Sequence, residues 1–450
     1  MNRRSTTILT LALALAFLLS LPASALQATA VQQDATPTPP PAEEAPAEAP
    51  PKLATASAVI DLSNQFGRTI TTARKNTFII DSAPPLGHPT EEMNPVEALL
   101  ASLATCGLVV YEAAAKEMDI PLSAASVTLQ GDLDARGLAG TAEVNPRVQE
   151  FRAHLDLEGP DAEQAAALYE QWTLRCPIYT TLIKSAPIVV TTNEEEMGGP
   201  SAEELATATI SASLSNQPGR TIVNVRDNYL IVDSVPPLGG PNLEVNPLDL
   251  LLAAQGSCGA VIMEKAAIDN DIALDGVTGT VEVDFDPRGL TDSSVNPAIQ
   301  AMRVNWEVGT ESDEEAQFLV DEWLGRCPIY NTLVRATDIE VSHKLMGEGT
   351  ALLDISFAYN ISADELRTEL APLAEQFAAT DGLVWKLWAI DEENSRFSGK
   401  LLFADAGVMQ AFLDGELAAA LMAHPALSDF AVTPYSVMAP ESRQTRGPIR

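Results

Sequence analysis

The sequence predicts a mixed α/β (α+β) protein in which two copies of one domain are followed by a third domain of different design. Two observations support this prediction. At a fixed offset of 152, residues 63–106 and 215–258 agree at 24 of 44 positions, which indicates a duplicated domain. After residue 350 the pattern reads strand, helix, strand, strand, helix, strand, which is the order of the ferredoxin-like fold.

Composition and charge limit the class of partner. Hydrophobic residues make up 46% of the 450 residues, which is enough for several folded cores. The formal net charge is −35, so nucleic acid and anionic membrane surfaces are disfavoured as partners. We attribute the acidic excess to the solubility of the surface rather than to chemistry.

The N-terminus has the pattern of a secretory signal peptide. Arg3 and Arg4 precede an apolar run at 8–21, and small residues follow at 23–25. The run is shorter than the roughly 20 residues that a membrane span needs, although an uncleaved anchor remains an alternative. We therefore expect a secreted or periplasmic protein, or a membrane-anchored one if the leader stays uncleaved.

The repeat and shifts in composition divide the rest of the chain. A stretch of Pro, Ala, Glu and Thr after the leader cannot bury enough apolar area to fold, so it is expected to be a tether. The predicted segments are a signal peptide at 1–25, a disordered tether at 26–53, domain 1 at 54–192, a linker at 193–206, domain 2 at 207–345, the ferredoxin-fold domain at 350–440 and a disordered tail at 441–450.

Within each copy a hairpin precedes a long helix. In the first copy, β-prone residues at 67–82 lead into a Pro-Pro-Leu-Gly turn, which predicts strand, turn, strand. Asn94 as N-cap, with Pro95 and Glu97, then opens a helix that runs to about residue 118. Residues 99–110 are apolar on every side, so this helix must be covered by a sheet or by another unit.

The two cysteines of a copy have different settings. Cys106 lies in the middle of the long helix and is expected to be buried. Cys176 stands directly before Pro177 and is expected to cap a short helix, whose dipole favours the thiolate. That reasoning alone makes Cys176 the nucleophile. A guanidinium beside Cys106 would reverse the order, and the candidates are Arg68 and Arg220, which repeat between the copies.

Four motifs follow one another in the second copy: Gly-Arg-Thr, Pro-Pro-Leu-Gly-Gly at 236–240, Asn-Pro-Leu-Asp-Leu-Leu-Leu-Ala-Ala-Gln-Gly-Ser-Cys at 246–258, and Arg-Cys-Pro-Ile-Tyr at 326–330. In this order they resemble the OsmC/Ohr family of thiol-dependent hydroperoxide reductases. The resemblance covers most of both copies. It implies an α/β fold in which the two OsmC-like copies intertwine as an intramolecular pseudo-dimer, each central helix lying against a curved sheet.

The resemblance also implies a peroxiredoxin-like thiol peroxidase that acts in oxidative-stress defence without a cofactor. The implied steps are attack on the peroxide by Cys106 or Cys258, activation by Arg68 or Arg220, and resolution by Cys176 or Cys327. The substrate would be an organic hydroperoxide and the electron donor an external dithiol, lipoyl or thioredoxin-like. An exported protein would not ordinarily meet lipoyl dithiols, so we favour a thioredoxin-like donor.

The chain departs from the family at two carboxylates. Many members place a catalytic Glu ten residues before the first cysteine, where this chain has Val96 and Leu248. Glu97 and Asp249 lie one residue later and are retained as candidate catalytic residues. Helix capping explains both residues without a catalytic role.

The competing hypothesis is a binding or scaffold protein with permanent structural disulfides. An even cysteine count in an exported protein supports it. A mid-helix cysteine is an unusual place for a bracing disulfide, however, which favours a redox function. Tyr179 and Tyr330 stand where other family members carry His, so no Cys–His pair is proposed there. The cysteine spacing also disfavours zinc.

In the third segment we predict strands at 352–357, 383–390, 398–403 and 430–437, and helices at 363–377 and 406–423. Gly-Leu-Val-Trp-Lys-Leu-Trp at 382–388, with Leu-Leu-Phe at 401–403, resembles the YdhR family of dimeric α+β barrels, which carries a mono-oxygenase label. The resemblance implies a barrel domain, a mono-oxygenase-like activity and a homodimer formed through this domain. Trp385 alternates with Leu387 on one strand face, which favours core packing.

The two copies differ around their first cysteines. His88 stands where the second copy has Gly240, and Leu-Ala-Thr at 103–105 matches Gln-Gly-Ser at 255–257. The surroundings of Cys106 are therefore more apolar, and desolvation disfavours a thiolate. We predict the lower thiol pKa and the faster reaction for Cys258.

Overall fold

The computed structural model describes residues 52–87, 89–445 and 447–449. These ranges contain two six-stranded sheets, and each copy supplies three strands to each sheet. The predicted signal peptide at 1–25, most of the predicted tether at 26–53, and His88 lie outside the described residues.

The strands and helices are numbered in chain order. The strands are β1 (Ala54–Leu62), β2 (Arg68–Ala73), β3 (Asn76–Asp81), β4 (Ala124–Leu133), β5 (Val148–Glu158), β6 (Ile188–Thr192), β7 (Ala206–Leu214), β8 (Arg220–Val225), β9 (Asn228–Asp233), β10 (Val277–Phe285), β11 (Ala301–Val308), β12 (Asp338–Leu345), β13 (Ala351–Tyr359), β14 (Leu383–Asp391), β15 (Arg396–Phe403) and β16 (Leu427–Ser436). The helices are α1 (Pro95–Glu117), α2 (Ala135–Ala139), α3 (Ala162–Arg175), α4 (Pro177–Leu182), α5 (Pro247–Asp269), α6 (Asp313–Arg326), α7 (Pro328–Leu333), α8 (Ala363–Leu370), α9 (Leu373–Ala378), α10 (Ala406–Leu413), α11 (Glu416–Met422) and α12 (Ala439–Gln444). Short 3-10 turns lie at Pro84–Leu86, Pro236–Leu238 and Pro287–Leu290.

The two copies exchange strands. One sheet has the order β12-β11-β10-β1-β2-β3, and the other has the order β6-β5-β4-β7-β8-β9. The joining pairs are antiparallel, with Ala58 opposite Val281 in the first sheet and Leu129 opposite Ile210 in the second. Each sheet is therefore half one copy and half the other, which confirms the predicted intramolecular pseudo-dimer.

The long helices α1 and α5 form the centre of this unit. Each begins with an Asn cap followed by Pro, and each has a capping box, formed by Asn94 with Glu97 and by Asn246 with Asp249. By length and composition alone both helices could cross a membrane, but 94% and 83% of their apolar windows are buried inside the protein. They contact each other and the sheets, so burial in the pseudo-dimer accounts for their apolar surface.

The C-terminal domain has a four-stranded antiparallel sheet of order β14-β15-β13-β16 with α8 to α11 packed on one face. This confirms the ferredoxin-like prediction, but the predicted barrel is not closed within this one chain. The edge strands β14 and β16 do not pair, so the sheet of this one chain stays open. Each predicted long helix is also divided, the first at Pro372 and the second at Gly415, because both residues disfavour a helix interior.

The end of the chain lies against the other face of this sheet. Ile449 is buried with Leu402 and Ala439, and the indole of Trp385 donates a hydrogen bond to the carbonyl of Pro448. The structure thus has a helix, α12, and a buried residue in the stretch for which the sequence predicts a disordered tail at 441–450. Trp385 packs as predicted, although against this C-terminal segment.

Candidate functional site

The structure brings the two cysteines of each copy together. Cys106 on α1 and Cys176 are joined by a disulfide, with Cα atoms 6.1 Å apart. In the second copy the Sγ atoms of Cys258 and Cys327 lie 2.7 Å apart as two buried thiols. Each copy therefore places its two cysteine sulfurs in direct contact.

The second cysteine of each pair caps a short helix, as the sequence predicts. Cys176 is the N-cap of α4, and its sulfur accepts a hydrogen bond from the backbone N–H of Tyr179 at 3.3 Å. Cys327 does the same for α7 with Tyr330, also at 3.3 Å. A proline at the first helical position fixes the turn in both copies. The N–H groups stabilise negative charge that develops on these sulfurs.

Burial dominates the electrostatics of Cys258. The exposed fraction of this residue is 2%, and burial, followed by the nearby Cys327, raises its thiol pKa well above the usual range, while the N–H of Ile329 lowers it. The polar neighbours of Cys258 do not reverse this. The Ser257 hydroxyl accepts a hydrogen bond from Thr69, and both amide atoms of Gln255 are buried without a described hydrogen-bond partner. The lower thiol pKa of Cys258 relative to Cys106 remains a prediction.

Arg68 and Arg220 are held by carboxylates of their own hairpins. The Nε of Arg68 lies 2.6 Å from Asp81, and the Nε of Arg220 lies 2.6 Å from Asp233. Arg68 also reaches Glu91 at 3.0 Å. In the part of the chain that the structure describes, no hydrogen bond joins either guanidinium to a cysteine sulfur. The structure thus does not bring the predicted activating arginines into contact with the thiols, because Asp81 and Asp233 compete for them.

Glu97 and Asp249 serve as helix caps and also bind arginines of the opposite copy. The Nη2 of Arg226 lies 3.1 Å from Glu97, and that of Arg74 lies 2.6 Å from Asp249. Burial raises the pKa of Glu97, and the Asn94 N–H and the charge of Arg226 lower it in part. The two carboxylates therefore join the copies.

Sequence reasoning missed Arg74 and Arg226. They lie at the turns between β2 and β3 and between β8 and β9, both with a φ of 55°. The sequence does contain a signal for them, because an arginine stands at this position of the repeat in both copies. Their targets could not be read from the sequence, because each arginine binds the other copy.

A small apolar cavity adjoins Cys106. Its volume is about 70 Å³, and both copies line it. The first copy contributes Cys106, Val109, Pro177 and Ile178, and the second contributes Ser234, Val235, Leu238, Asn246, Pro247, Leu248, Phe285 and Leu290. This described lining carries no charged side chain, so the cavity suits an alkyl or aryl group better than a polar one.

A tryptophan lies against the glycine that follows each mid-helix cysteine. A Cβ atom on Gly107 would meet the ring of Trp172 at 2.7 Å, and Gly259 faces Trp306 and Trp323. The ring of Tyr179 packs against Trp172 at an interplanar angle of 57°, with the ring centroids 5.1 Å apart. Aromatic rings thus shield the helix face beside each cysteine from water. No cluster of three metal-ligating side chains occurs among residues 52–87, 89–445 and 447–449.

Comparison with protein families agrees with this architecture. The model of the OsmC-like protein family matches residues 87–192 and 240–342. The model described as "Putative mono-oxygenase ydhR" matches residues 352–448. The chain therefore consists of two OsmC-like domains in tandem followed by a ydhR-like domain. No curated protein matches the chain.

Solved structures resemble single domains of the chain. The OsmC-like protein of Mycoplasma pneumoniae is 20% identical, with 30% of this chain and 94% of that chain covered and a TM-score of 0.27. An organic hydroperoxide resistance protein OsmC of Legionella pneumophila is 21% identical, with 30% and 95% covered and a TM-score of 0.25. SnoaB, a cofactor-independent oxygenase of Streptomyces nogalater, is 17% identical, with 20% and 93% covered and a TM-score of 0.18.

Proposed function

We propose that this protein is an exported thiol-dependent peroxidase that reduces organic hydroperoxides at two sites, Cys106 with Cys176 and Cys258 with Cys327. The observation that carries the proposal is the meeting of a mid-helix cysteine and a helix-capping cysteine in both copies. A sulfenic acid on one cysteine can condense with the thiol of the other only if the two sulfurs lie within bonding reach, and both copies meet this condition.

The proposed cycle has three balanced steps. The thiolate of Cys106 or Cys258 attacks the distal peroxide oxygen, the O–O bond breaks, and the alkoxide takes a proton to leave as an alcohol. The resulting sulfenic acid condenses with the thiol of Cys176 or Cys327, which releases water and forms the disulfide. An external dithiol then reduces the disulfide and is itself oxidised to a disulfide.

The helix cap supports the third step. When the external thiolate attacks the first cysteine of the disulfide, the sulfur of Cys176 or Cys327 leaves as a thiolate. The N–H groups of Tyr179 and Tyr330 already donate to those sulfurs, so they stabilise the leaving charge. The short helix therefore assists regeneration, whereas the reaction with peroxide depends on deprotonation of a buried thiol.

The cavity beside Cys106 supports an organic peroxide as substrate. Its apolar lining from both copies would hold the hydrocarbon group, while the peroxide oxygen approaches the sulfur. We expect cumene hydroperoxide to oxidise the first site at least tenfold faster than hydrogen peroxide does. Equal rates for the two peroxides would remove the role given to this cavity.

Thiol counting separates the redox proposal from the scaffold alternative, which the buried Cys106–Cys176 disulfide favours. We expect mild dithiol treatment to raise the number of free thiols, and one equivalent of cumene hydroperoxide per site to remove them again. A scaffold protein would keep the same count throughout. Control samples with Cys176→Ser and Cys327→Ser should form sulfenic acid, detectable by a dimedone adduct, without forming the disulfides.

The electron donor and the location form a linked proposal. Export supports a thioredoxin-like dithiol protein outside the cytoplasm over a lipoyl donor. The peroxide-oxidised protein should regain its thiols when such a protein is added. Mass spectrometry of the exported fraction should find a chain that begins after residue 25. Regeneration by a lipoyl protein alone would contradict the proposed electron donor. An uncleaved chain in the cytoplasm would contradict the proposed export.

We also propose a homodimer through the C-terminal sheet. On the face opposite α8 to α11, Leu387 and Tyr435 have exposed fractions of 59% and 50%. Large exposed apolar side chains on an open sheet face support packing against a second copy. The C-terminal segment covers only the part of this face near Leu402.

A further inference from the structure

The duplication allows the walls of the two cysteine sites to be compared position by position. We call the pair at Cys106 the first site and the pair at Cys258 the second site. The two copies contact each other reciprocally, since the turn Pro236–Leu238 contacts α1 and the turn Pro84–Leu86 contacts α5. Each site is therefore walled partly by its own copy and partly by the opposite one.

The residues that each copy contributes to its own site are the same. Four of the described residues that line the cavity beside Cys106 come from the first copy. The matching residues of the second copy have identical side chains, in the pairs Cys106/Cys258, Val109/Val261, Pro177/Pro328 and Ile178/Ile329. A difference between the two walls therefore comes from the residues of the opposite copy.

The opposite copies differ at three wall positions. Eight described residues of the second copy line the cavity beside Cys106, and five of them have the same residue type at the matching position of the first copy. The three differing pairs, each with the residue of the first site written first, are Val235/Ala83, Leu248/Val96 and Phe285/Leu133. In every pair the residue that belongs to the second site is the smaller one, and all three smaller residues are buried.

Three smaller side chains on one wall leave more room beside Cys258. Each replacement lacks one to three carbon atoms, and a packed interior relaxes only partly around lost methylene groups. Substitutions that compensate for one another change size in opposite directions, whereas these three all change size in the same direction. The missing atoms belong to apolar groups, so the added room suits a hydrocarbon group.

We propose that the two sites differ in substrate, and that the second site takes organic hydroperoxides with a bulkier hydrocarbon group than the first site takes. The three differing wall positions determine this specificity. The inference rests on the proposed peroxidase function and refines its substrate class. The chemistry at sulfur is the same in both sites: the O–O bond breaks, the thiolate becomes a sulfenic acid, and the hydroperoxide leaves as an alcohol.

Oxidation by tert-butyl hydroperoxide and by pinane hydroperoxide tests this proposal on the full-length, dithiol-reduced protein. Both compounds are tertiary hydroperoxides, so they differ mainly in the size of the hydrocarbon group. After a short exposure, N-ethylmaleimide blocks the free thiols, and peptide mass mapping measures the disulfide of each site separately.

The quantity to compare is the ratio of the pinane rate to the tert-butyl rate at each site. Because both rates belong to the same thiol, the ratio cancels the intrinsic reactivity of that thiol. We expect the ratio to be about tenfold higher at the second site, which is the size of effect that one methylene group in an apolar pocket produces.

An exchange of wall residues locates the effect. The triple variant Val235→Ala, Leu248→Val and Phe285→Leu lies in the second copy but changes the wall of the first site. It should raise the rate ratio at the first site to about that of the second site. The second site, whose wall is unchanged, is the control within the same molecule. The single variant Phe285→Leu should shift the first-site ratio in the same direction by a smaller factor.

The outcomes separate this inference from the peroxidase proposal. Equal ratios at the two sites of the wild type, or an unchanged first-site ratio in both variants, would overturn the inference and leave the peroxidase proposal standing. If neither hydroperoxide forms a disulfide at either site, the peroxidase proposal fails and this inference fails with it.

Discussion

At the scale of single residues, the glycine after each mid-helix cysteine allows a tryptophan to approach the helix backbone. The Cβ position of Gly107 lies 2.7 Å from Trp172, a distance that no side-chain carbon tolerates without movement of the ring. Trp172 is 1% exposed and closely surrounded by other aromatic rings, so it has little room to shift. The glycine therefore sets the packing beside the Cys106 site.

We predict that Gly107→Ala destabilises the protein by about 1–3 kcal/mol, because it overpacks a filled core. The matched control is Gly325→Ala, since Gly325 lies in α6 with nothing within 4 Å of its Cβ position. That change should stabilise the protein by about 0.5–1 kcal/mol through helix propensity. Denaturant unfolding measures both, and a stable Gly107→Ala variant would contradict the packing described.

At the scale of elements, two carboxylates tie the central helices to the hairpins of the opposite copy. Glu264 on α5 accepts a hydrogen bond from the N–H of Gly67 at 2.7 Å, and Glu112 on α1 accepts one from Gly219 at 2.6 Å. Burial raises the pKa of Glu264 to about 7, and the N–H of Gly67 lowers it only in part. The folded protein thus binds a proton that the unfolded chain releases near pH 4.5.

This pKa shift predicts a specific pH dependence of stability. Between about pH 4.5 and 7 the folded state holds more protons at Glu264 than the unfolded state, so its contribution to stability falls as pH rises through that window. The loss is about 1–2 kcal/mol above pH 7, because solvent screens a partly exposed carboxyl and reduces the effect of the shift. Glu264→Gln should abolish this component of the pH profile of unfolding free energy. A variant with the same slope as wild type would show that the carboxyl titrates normally.

Much of the element structure could be predicted because its signals are local. Asn94 followed by Pro95 opens α1, and Cys176 followed by Pro177 opens α4, as caps and proline geometry require. No local pattern of residues indicates the exchange of strands between the copies. That prediction came from the family resemblance. The partners of Arg68 were also not predictable from the residues, since Asp81 and Glu91 reach it only in the folded hairpin.

At the scale of the whole molecule, the C-terminal sheet of one chain is open at both edges. A barrel expected from the resemblance requires partners for the edge strands, and β14 and β16 of one chain do not supply them. The cysteine pairs and the C-terminal sheet belong to different domains, each with its own hydrophobic core.

The proposed homodimer predicts a concentration-dependent mass. Light scattering of the wild-type protein should give the mass of a dimer, and Leu387→Asp should give a monomer, because a carboxylate cannot be buried without a partner in the interface. The matched control is Met422→Asp, at an exposed apolar residue of α11 on the helix-covered side of the sheet. A monomeric wild-type protein, or a dimeric Leu387→Asp variant, would exclude this interface.

Stopped-flow measurement of cumene hydroperoxide consumption by the dithiol-reduced protein decides whether the mid-helix cysteines reduce peroxide. We predict a rapid phase with two equivalents consumed per chain in the wild type. Each single variant, Cys106→Ser or Cys258→Ser, should consume one equivalent in the rapid phase. The double variant should consume hydroperoxide only at the slow background rate. If the double variant consumes the hydroperoxide as fast as the wild type, these cysteines are not the reactive groups and the proposed peroxidase cycle does not operate.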